Sequence, residues 1–107
     1  RGIMLYANGN KYEGGWKEGK YSGQGIKTYA NGDKYEGTWL SGMYNGLGTY
    51  TYNDNSSIKG YWLRGKYHSN MLKTNIDGSM VLEYYINGKL IDIIGNVNKI
   101  PMGDKPT

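Results

Sequence analysis

The chain of 107 residues contains no cysteine and no phenylalanine, one histidine, two prolines and only two alanines, Ala7 and Ala30. Without cysteine there is no disulfide framework and no thiolate metal site, and the composition is compatible with a reducing compartment. A lone histidine, His68, builds no histidine metal cluster, and with no cysteine beside it no Cys-His nucleophile exists either. No apolar run approaches the roughly 20 residues that a membrane-crossing helix needs, and no signal peptide is visible, so the expectation is a soluble, cytoplasmic protein. An excess of one charge is also missing. Thirteen Lys and Arg stand against nine Asp and Glu, a net +4. It divides into +2 for residues 1 to 53 (six minus four) and +2 for residues 54 to 107 (seven minus five). This is a mild attraction for anions with no basic cluster, and no nucleic-acid partner is expected.

What the chain has instead is 18 glycines and 12 tyrosines. Glycine and aromatic residues disfavour helix and suit short strands punctuated by turns, so the expected class is all-β. Laid against itself, the chain repeats every 23 residues: YANGNKYEGGWKEGKYSGQGIKT (6–28), YANGDKYEGTWLSGMYNGLGTYT (29–51) and YNDNSSIKGYWLRGKYHSNMLKT (52–74). Gly14 recurs as Gly37 and Gly60, Trp16 as Trp39 and Trp62, Gly19 as Gly42, Gly65 and Gly88, and Tyr21 as Tyr44 and Tyr67. A degenerate copy occupies 75–90, with Glu83 in place of the glycine, and residues 1–5 align with 24–28 as a partial copy. Such an opening suggests a piece of a longer array.

Each copy reads as a β-hairpin. Asn8-Gly9 and Asn31-Gly32 predict a two-residue type I′ turn, with Asp54-Asn55 as a weaker substitute. That turn would place Tyr29 opposite Lys34, Thr28 opposite Tyr35, Lys27 opposite Glu36 and Ile26 opposite Gly37. Tyr35, Gly37 and Trp39 would then share an aromatic face with Thr28 and Ile26, as would Tyr12, Gly14 and Trp16 with Leu5 and Ile3. The opposite face would be mostly polar, with Glu36 against Lys27. Gly14, Gly37 and Gly60 are expected to leave room for rings to lie on the backbone. The second connection, "SGMYNGLG" with Gly42, Gly46 and Gly48, reads as a wider turn, as do Gly19, Gly23, Gly25 and Gly65 in the other copies.

The enzymatic readings are weak. Gly14 to Tyr21, "GGWKEGKY", nearly spells a phosphate-binding loop, but Tyr21 cannot replace the Ser or Thr hydroxyl on magnesium, no helix follows, and the next copy has Met43 for the lysine. His68 occupies the repeat position of Ser22 and Asn45 and is expected as an exposed turn residue. Glu13 and Glu36, one repeat apart, read as partners of lysines and not as paired acids. No catalytic residue, metal or cofactor is expected, and the chain does not read as an enzyme.

The segments YEGGWKEGKYSGQG (12–25) and YEGTWLSGMYNGLG (35–48) resemble the MORN repeat, the membrane occupation and recognition nexus, with its pattern Tyr-Glu-Gly-x-Trp-x-x-Gly-x-x-x-Gly-x-Gly. The third copy keeps Gly60, Trp62 and Gly65 but has Ser69 and Met71 for the last glycines. The resemblance covers residues 1 to about 90. It implies a single-layer, twisted antiparallel meander of 23-residue hairpins, serving as an interaction module in cytoskeletal or membrane-associated scaffolds. The expected partner, a peptide or helix, would bind a groove lined by Tyr12, Trp16, Tyr35, Trp39, Trp62 and Tyr85. The alternative is anionic lipid, met by Lys17, Lys20 and Lys34. Residues 91–107 leave the glycine frame. Their aliphatics read as a strand over 91–100 that caps the array, followed by a tail, or else as a homodimer contact shared with the C-terminal repeats.

Overall fold

The computed structural model describes residues 2–95. Among them nine strands form one antiparallel sheet in chain order. They are β1 (Gly2–Leu5), β2 (Lys11–Lys17), β3 (Lys20–Thr28), β4 (Lys34–Leu40), β5 (Met43–Thr51), β6 (Ser57–Leu63), β7 (Lys66–Thr74), β8 (Met80–Ile86) and β9 (Lys89–Gly95). Among the described residues the meander has two strands per copy and no second layer, as the repeat predicts. β9, Lys89–Gly95, overlaps the first part of the strand expected over 91–100. The rest of it, and the expected tail, lie outside the described residues.

The two connections exchange their expected turn types. At Asn31-Gly32 the Tyr29 N–H donates to the Asp33 carbonyl at 2.8 Å and the Gly32 N–H to the Tyr29 carbonyl at 2.9 Å. Only Gly32 has positive φ, at 96°. This is a three-residue loop, a type I turn followed by a left-handed glycine, and not the two-residue type I′ turn. Asn31 contributes its side chain instead: Oδ1 accepts the Asp33 N–H at 2.9 Å. The two-residue turn occurs at the connection expected to be wider. Glu18-Gly19, Ser41-Gly42, Arg64-Gly65 and Asn87-Gly88 all have positive φ at both residues, with the flanking pairs Lys17–Lys20, Leu40–Met43, Leu63–Lys66 and Ile86–Lys89 facing one another.

One extra loop residue moves the register by one, and a one-residue shift carries every partner to the other face. Tyr35 therefore faces Lys27, Gly37 faces Gly25 and Trp39 faces Gly23; Thr28 faces Lys34 and Ile26 faces Glu36. The expected Lys27–Glu36 pair does not form. Lys27 joins the aromatic face, and the cation nearest Glu36 is Lys34 of the same strand, 3.9 Å away. In the first copy Met4 and Gly2, not Leu5 and Ile3, lie across from Tyr12 and Gly14. His68 lies within β7, half-buried on the outer face, where Nδ1 accepts the Asn87 N–H at 3.2 Å; it is not an exposed turn residue.

The corrected register lines up glycines across six strands: Gly2, Gly14, Gly25, Gly37, Gly48 and Gly60. Rings lie on this glycine file. A Cβ built on Gly48 would come within 2.0 Å of the Tyr35 hydroxyl, and one on Gly25 within 2.2 Å of that of Tyr12. Tyr12 and Tyr35 are thereby completely buried in a protein only one sheet thick. In the third copy Ile58 replaces the tyrosine and Met71 replaces the glycine, and Met71 fills the same space from the opposite strand. The core runs on as stacked and edge-to-face rings. Tyr12 stacks on Tyr21 at 3.7 Å and Tyr35 on Tyr44 at 4.0 Å, and Trp39 and Trp62 stand edge-on to them.

Candidate functional site

The aromatic face carries three hollows related by the repeat. The first is lined by Tyr6, Trp16, Gly19, Lys20, Tyr21, Ser41 and Gly42. The second uses Tyr29, Trp39, Gly42, Tyr44, Gly65, Met43 and Lys27. The third uses Tyr52, Trp62, Gly65, Tyr67 and Gly88, with Tyr44, Tyr50 and Lys66. Gly42 belongs to the first two and Gly65 to the last two, so neighbouring hollows share a turn glycine and follow one another across the strands as a furrow.

Its construction follows from the turns. Three of the four two-residue turns are hung from the copy before them: the N–H of Gly42, Gly65 and Gly88 donates to the carbonyl of Tyr21, Tyr44 and Tyr67 at 3.0, 2.8 and 2.7 Å. The tryptophans form the floor, with Nε1 of Trp39 and Trp62 donating to the carbonyls of Gly25 and Gly48 at 3.1 and 3.0 Å. A buried indole N–H requires such a partner. The walls are tyrosines joined through their hydroxyls: Tyr6 with Tyr21, Tyr29 with Tyr44 and Tyr52 with Tyr67. Burial, reinforced by these bonds, raises the phenols of Tyr21, Tyr44 and Tyr67 well above their ordinary range. Burial pushes Tyr35 up to about 12, and its hydroxyl donates to the Thr38 carbonyl at 3.1 Å.

Of the six residues expected to line a groove, Trp16, Trp39 and Trp62 each line one hollow, whereas Tyr12, Tyr35 and Tyr85 are buried and line none of the three. The walls Tyr6, Tyr29 and Tyr52 are not among the residues that the repeat pattern singles out, and a two-residue turn at Asn31-Gly32 would put Tyr29, opposite Lys34, on the polar face. The signal was their recurrence at 23 residues, obscured by their position at the loop, where strand alternation no longer assigns a face. Among the lysines singled out for lipid, exposed Lys17 and Lys20 flank one turn, Lys20 reaches the first hollow, and Lys34 lies on the outer face near Glu36. Loop contacts also escaped the sequence. Asn10 accepts the Ala30 N–H at 2.8 Å, and one repeat on Asp33 accepts the Asn53 N–H at 2.9 Å and the Tyr50 hydroxyl at 2.8 Å, so each loop is tied to the next.

A model of the MORN repeat family matches residues 12–34 and 35–57, two consecutive copies with the period and aromatic pattern of the furrow. Residues 12–57 are MORN repeats. No curated protein matches the chain. MORN repeats are non-catalytic modules of interaction or membrane binding. The MORN frame starts at Tyr12 and Tyr35, the rings that lie on the glycine file, so its tyrosine, glycine and tryptophan positions build the floor. Among the described residues no three His, Asp or Glu side chains come together to hold a metal.

Proposed function

We propose that this chain is a non-catalytic binding module whose furrow receives a segment of a partner protein. The observation that carries the reading is the series of three adjacent hollows built alike, each with one tryptophan, at least two tyrosines and two turn glycines. Tyrosine and tryptophan bury large area at small cost in side-chain entropy and dominate the energetics of interfaces. The rings of the core are consumed in packing one another, so the wall tyrosines Tyr6, Tyr29 and Tyr52 are the groups available to a partner.

The test is affinity capture with Tyr29→Ser plus Tyr52→Ser compared with Leu47→Ser on the outer face, each first shown to be folded by circular dichroism. Loss of the partner with the wall variant, and retention with Leu47→Ser, supports the furrow. Retention with both overturns it. A Lys17→Glu, Lys20→Glu, Lys34→Glu variant, assayed by sedimentation with vesicles of anionic phospholipid, addresses the alternative: salt-sensitive vesicle binding lost in that variant, with no furrow-dependent partner, gives the module to the membrane surface.

A further inference from the structure

The furrow has a fixed pitch and a fixed charge, and together they select a class of ligand. One copy adds two strands, and neighbouring strands lie about 4.7–4.9 Å apart, so equivalent hollows recur at about 9.5 Å. A polyproline II chain has three residues per turn and rises about 3.1 Å per residue, which brings every third side chain to the same side at about 9.3 Å. An extended strand cannot do this, because its residues i and i+3 point to opposite faces. An α-helix comes closest with seven residues, about 10.5 Å, and its diameter of about 10–12 Å is poorly served by shallow hollows. The pitch favours polyproline II.

Each hollow is lined by one lysine, Lys20, Lys27 or Lys66, and by no carboxylate. Lys27 is the most constrained. Its ammonium lies 5.6, 5.1 and 5.2 Å from the ring centres of Tyr6, Tyr21 and Tyr29, half-buried, with no ion pair among the described residues. Burial lowers its pKa, the expected response of a cation short of solvent and of a counter-ion. Two copies on, Lys73 occupies the same repeat position and has its acid within the chain: Glu83, where the earlier copies have glycine, lies 3.1 Å from Lys73 and accepts the Tyr85 hydroxyl at 2.8 Å. The fourth copy thus displays a carboxylate seated between a lysine and a tyrosine of this face.

We propose that the furrow binds an acidic segment in the polyproline II conformation, one carboxylate of which pairs with Lys27 as Glu83 pairs with Lys73. The inference rests on the furrow's being a peptide site and names the peptide.

The probe is a synthetic twelve-residue peptide of repeated Asp-Pro-Pro, titrated against the whole chain with the fluorescence of Trp16, Trp39 and Trp62 as readout. Saturable binding is expected. A peptide of equal length repeating Asp-Pro-Pro-Pro, whose acids fall out of step with the hollows, should bind about ten-fold more weakly. Replacing Asp by Asn in the peptide, or Lys27→Gln in the protein, should each weaken binding roughly five-fold, and not additively when combined. Lys66→Gln, at an exposed position, should weaken it less and keeps the test open if Lys27→Gln fails to fold. Absence of saturable binding, or equal affinity for the two spacings, overturns the proposal. If these peptides fail while a captured partner still depends on Tyr29 and Tyr52, the furrow stands and the polyproline assignment falls; if the captured partner is also indifferent to them, both fall.

Discussion

Gly48 shows how a missing side chain determines a fold of this kind. With a Cβ only 2.0 Å from the Tyr35 hydroxyl, Gly48→Ala must expel the ring from its seat. We expect a loss of about 3 kcal/mol in urea unfolding followed by tryptophan fluorescence. The third copy indicates the remedy, because there Ile58 and Met71 divide the same space. Tyr35→Ile combined with Gly48→Met should therefore be more stable than the sum of the single changes, by at least about 1 kcal/mol of coupling. The buried phenols also predict an alkaline limit. A tyrosine whose pKa rises from about 10 when unfolded to about 12 when folded, as for Tyr35, holds its proton more firmly in the native state. Its contribution is complete below pH 10 and is lost as pH rises towards 12. Tyrosine ionisation read by ultraviolet absorbance should be delayed past pH 10 and coincide with loss of the β-sheet circular dichroism signal. Titration of all twelve phenols with the sheet intact, and not only of exposed ones such as Tyr52 and Tyr61, would show that none is held by burial.

The hairpin is the element in which local chemistry and observed geometry part company. Asn-Gly fits a type I′ turn, yet here it serves a three-residue loop, where the asparagine oxygen bonds Asp33 and the glycine alone takes the left-handed conformation. The type I′ positions fall to Glu18, Ser41 and Arg64, with φ of 52°, 49° and 49°. Such residues are strained, because a left-handed conformation costs roughly 1–2 kcal/mol outside glycine and, to a lesser degree, asparagine. Ser41→Asn restores Asn-Gly where two positive φ angles are required, and should stabilise by about 0.5–1 kcal/mol, raising the thermal midpoint measured by circular dichroism. No change would mean that the side chain at this position is offset by contacts elsewhere.

At the scale of the molecule, an array grows by adding hairpins, and its last strand has nothing beyond it among the described residues. β9 leaves Leu90, Ile91, Ile93 and Ile94 exposed beside a strand edge that no described residue pairs. Exposed aliphatic edges recruit other strands. Light scattering should therefore show a mass that rises above the 12.0 kDa monomer with concentration, and Ile91→Lys with Ile93→Lys should restore the monomer. A constant monomer mass in the unmodified chain would show that this edge does not associate. A single-layer sheet also has no distant core to compensate for a damaged copy, since each repeat contacts mainly its neighbours, so lesions such as Gly48→Ala should act locally.

The sequence by itself determined the all-β class, the 23-residue unit, the strands of each copy and the existence of an aromatic side. Those follow from properties that a strand carries alone: turn formers at fixed intervals, alternation along the chain, and glycines where rings recur. It did not determine which residues meet across strands. A two-residue and a three-residue loop both accommodate Asn-Gly, the side-chain period is two, and the single residue between these alternatives decides whether Tyr35 looks across at Thr28 or at Lys27. Only the paired sheet made that choice, because it alone brings the glycines into file and lets rings lie flat on them. With the register came the rest: Lys27 left the polar face for the tyrosines, Tyr29 became a wall, and the expected groove tyrosines Tyr12 and Tyr35 became its buried support.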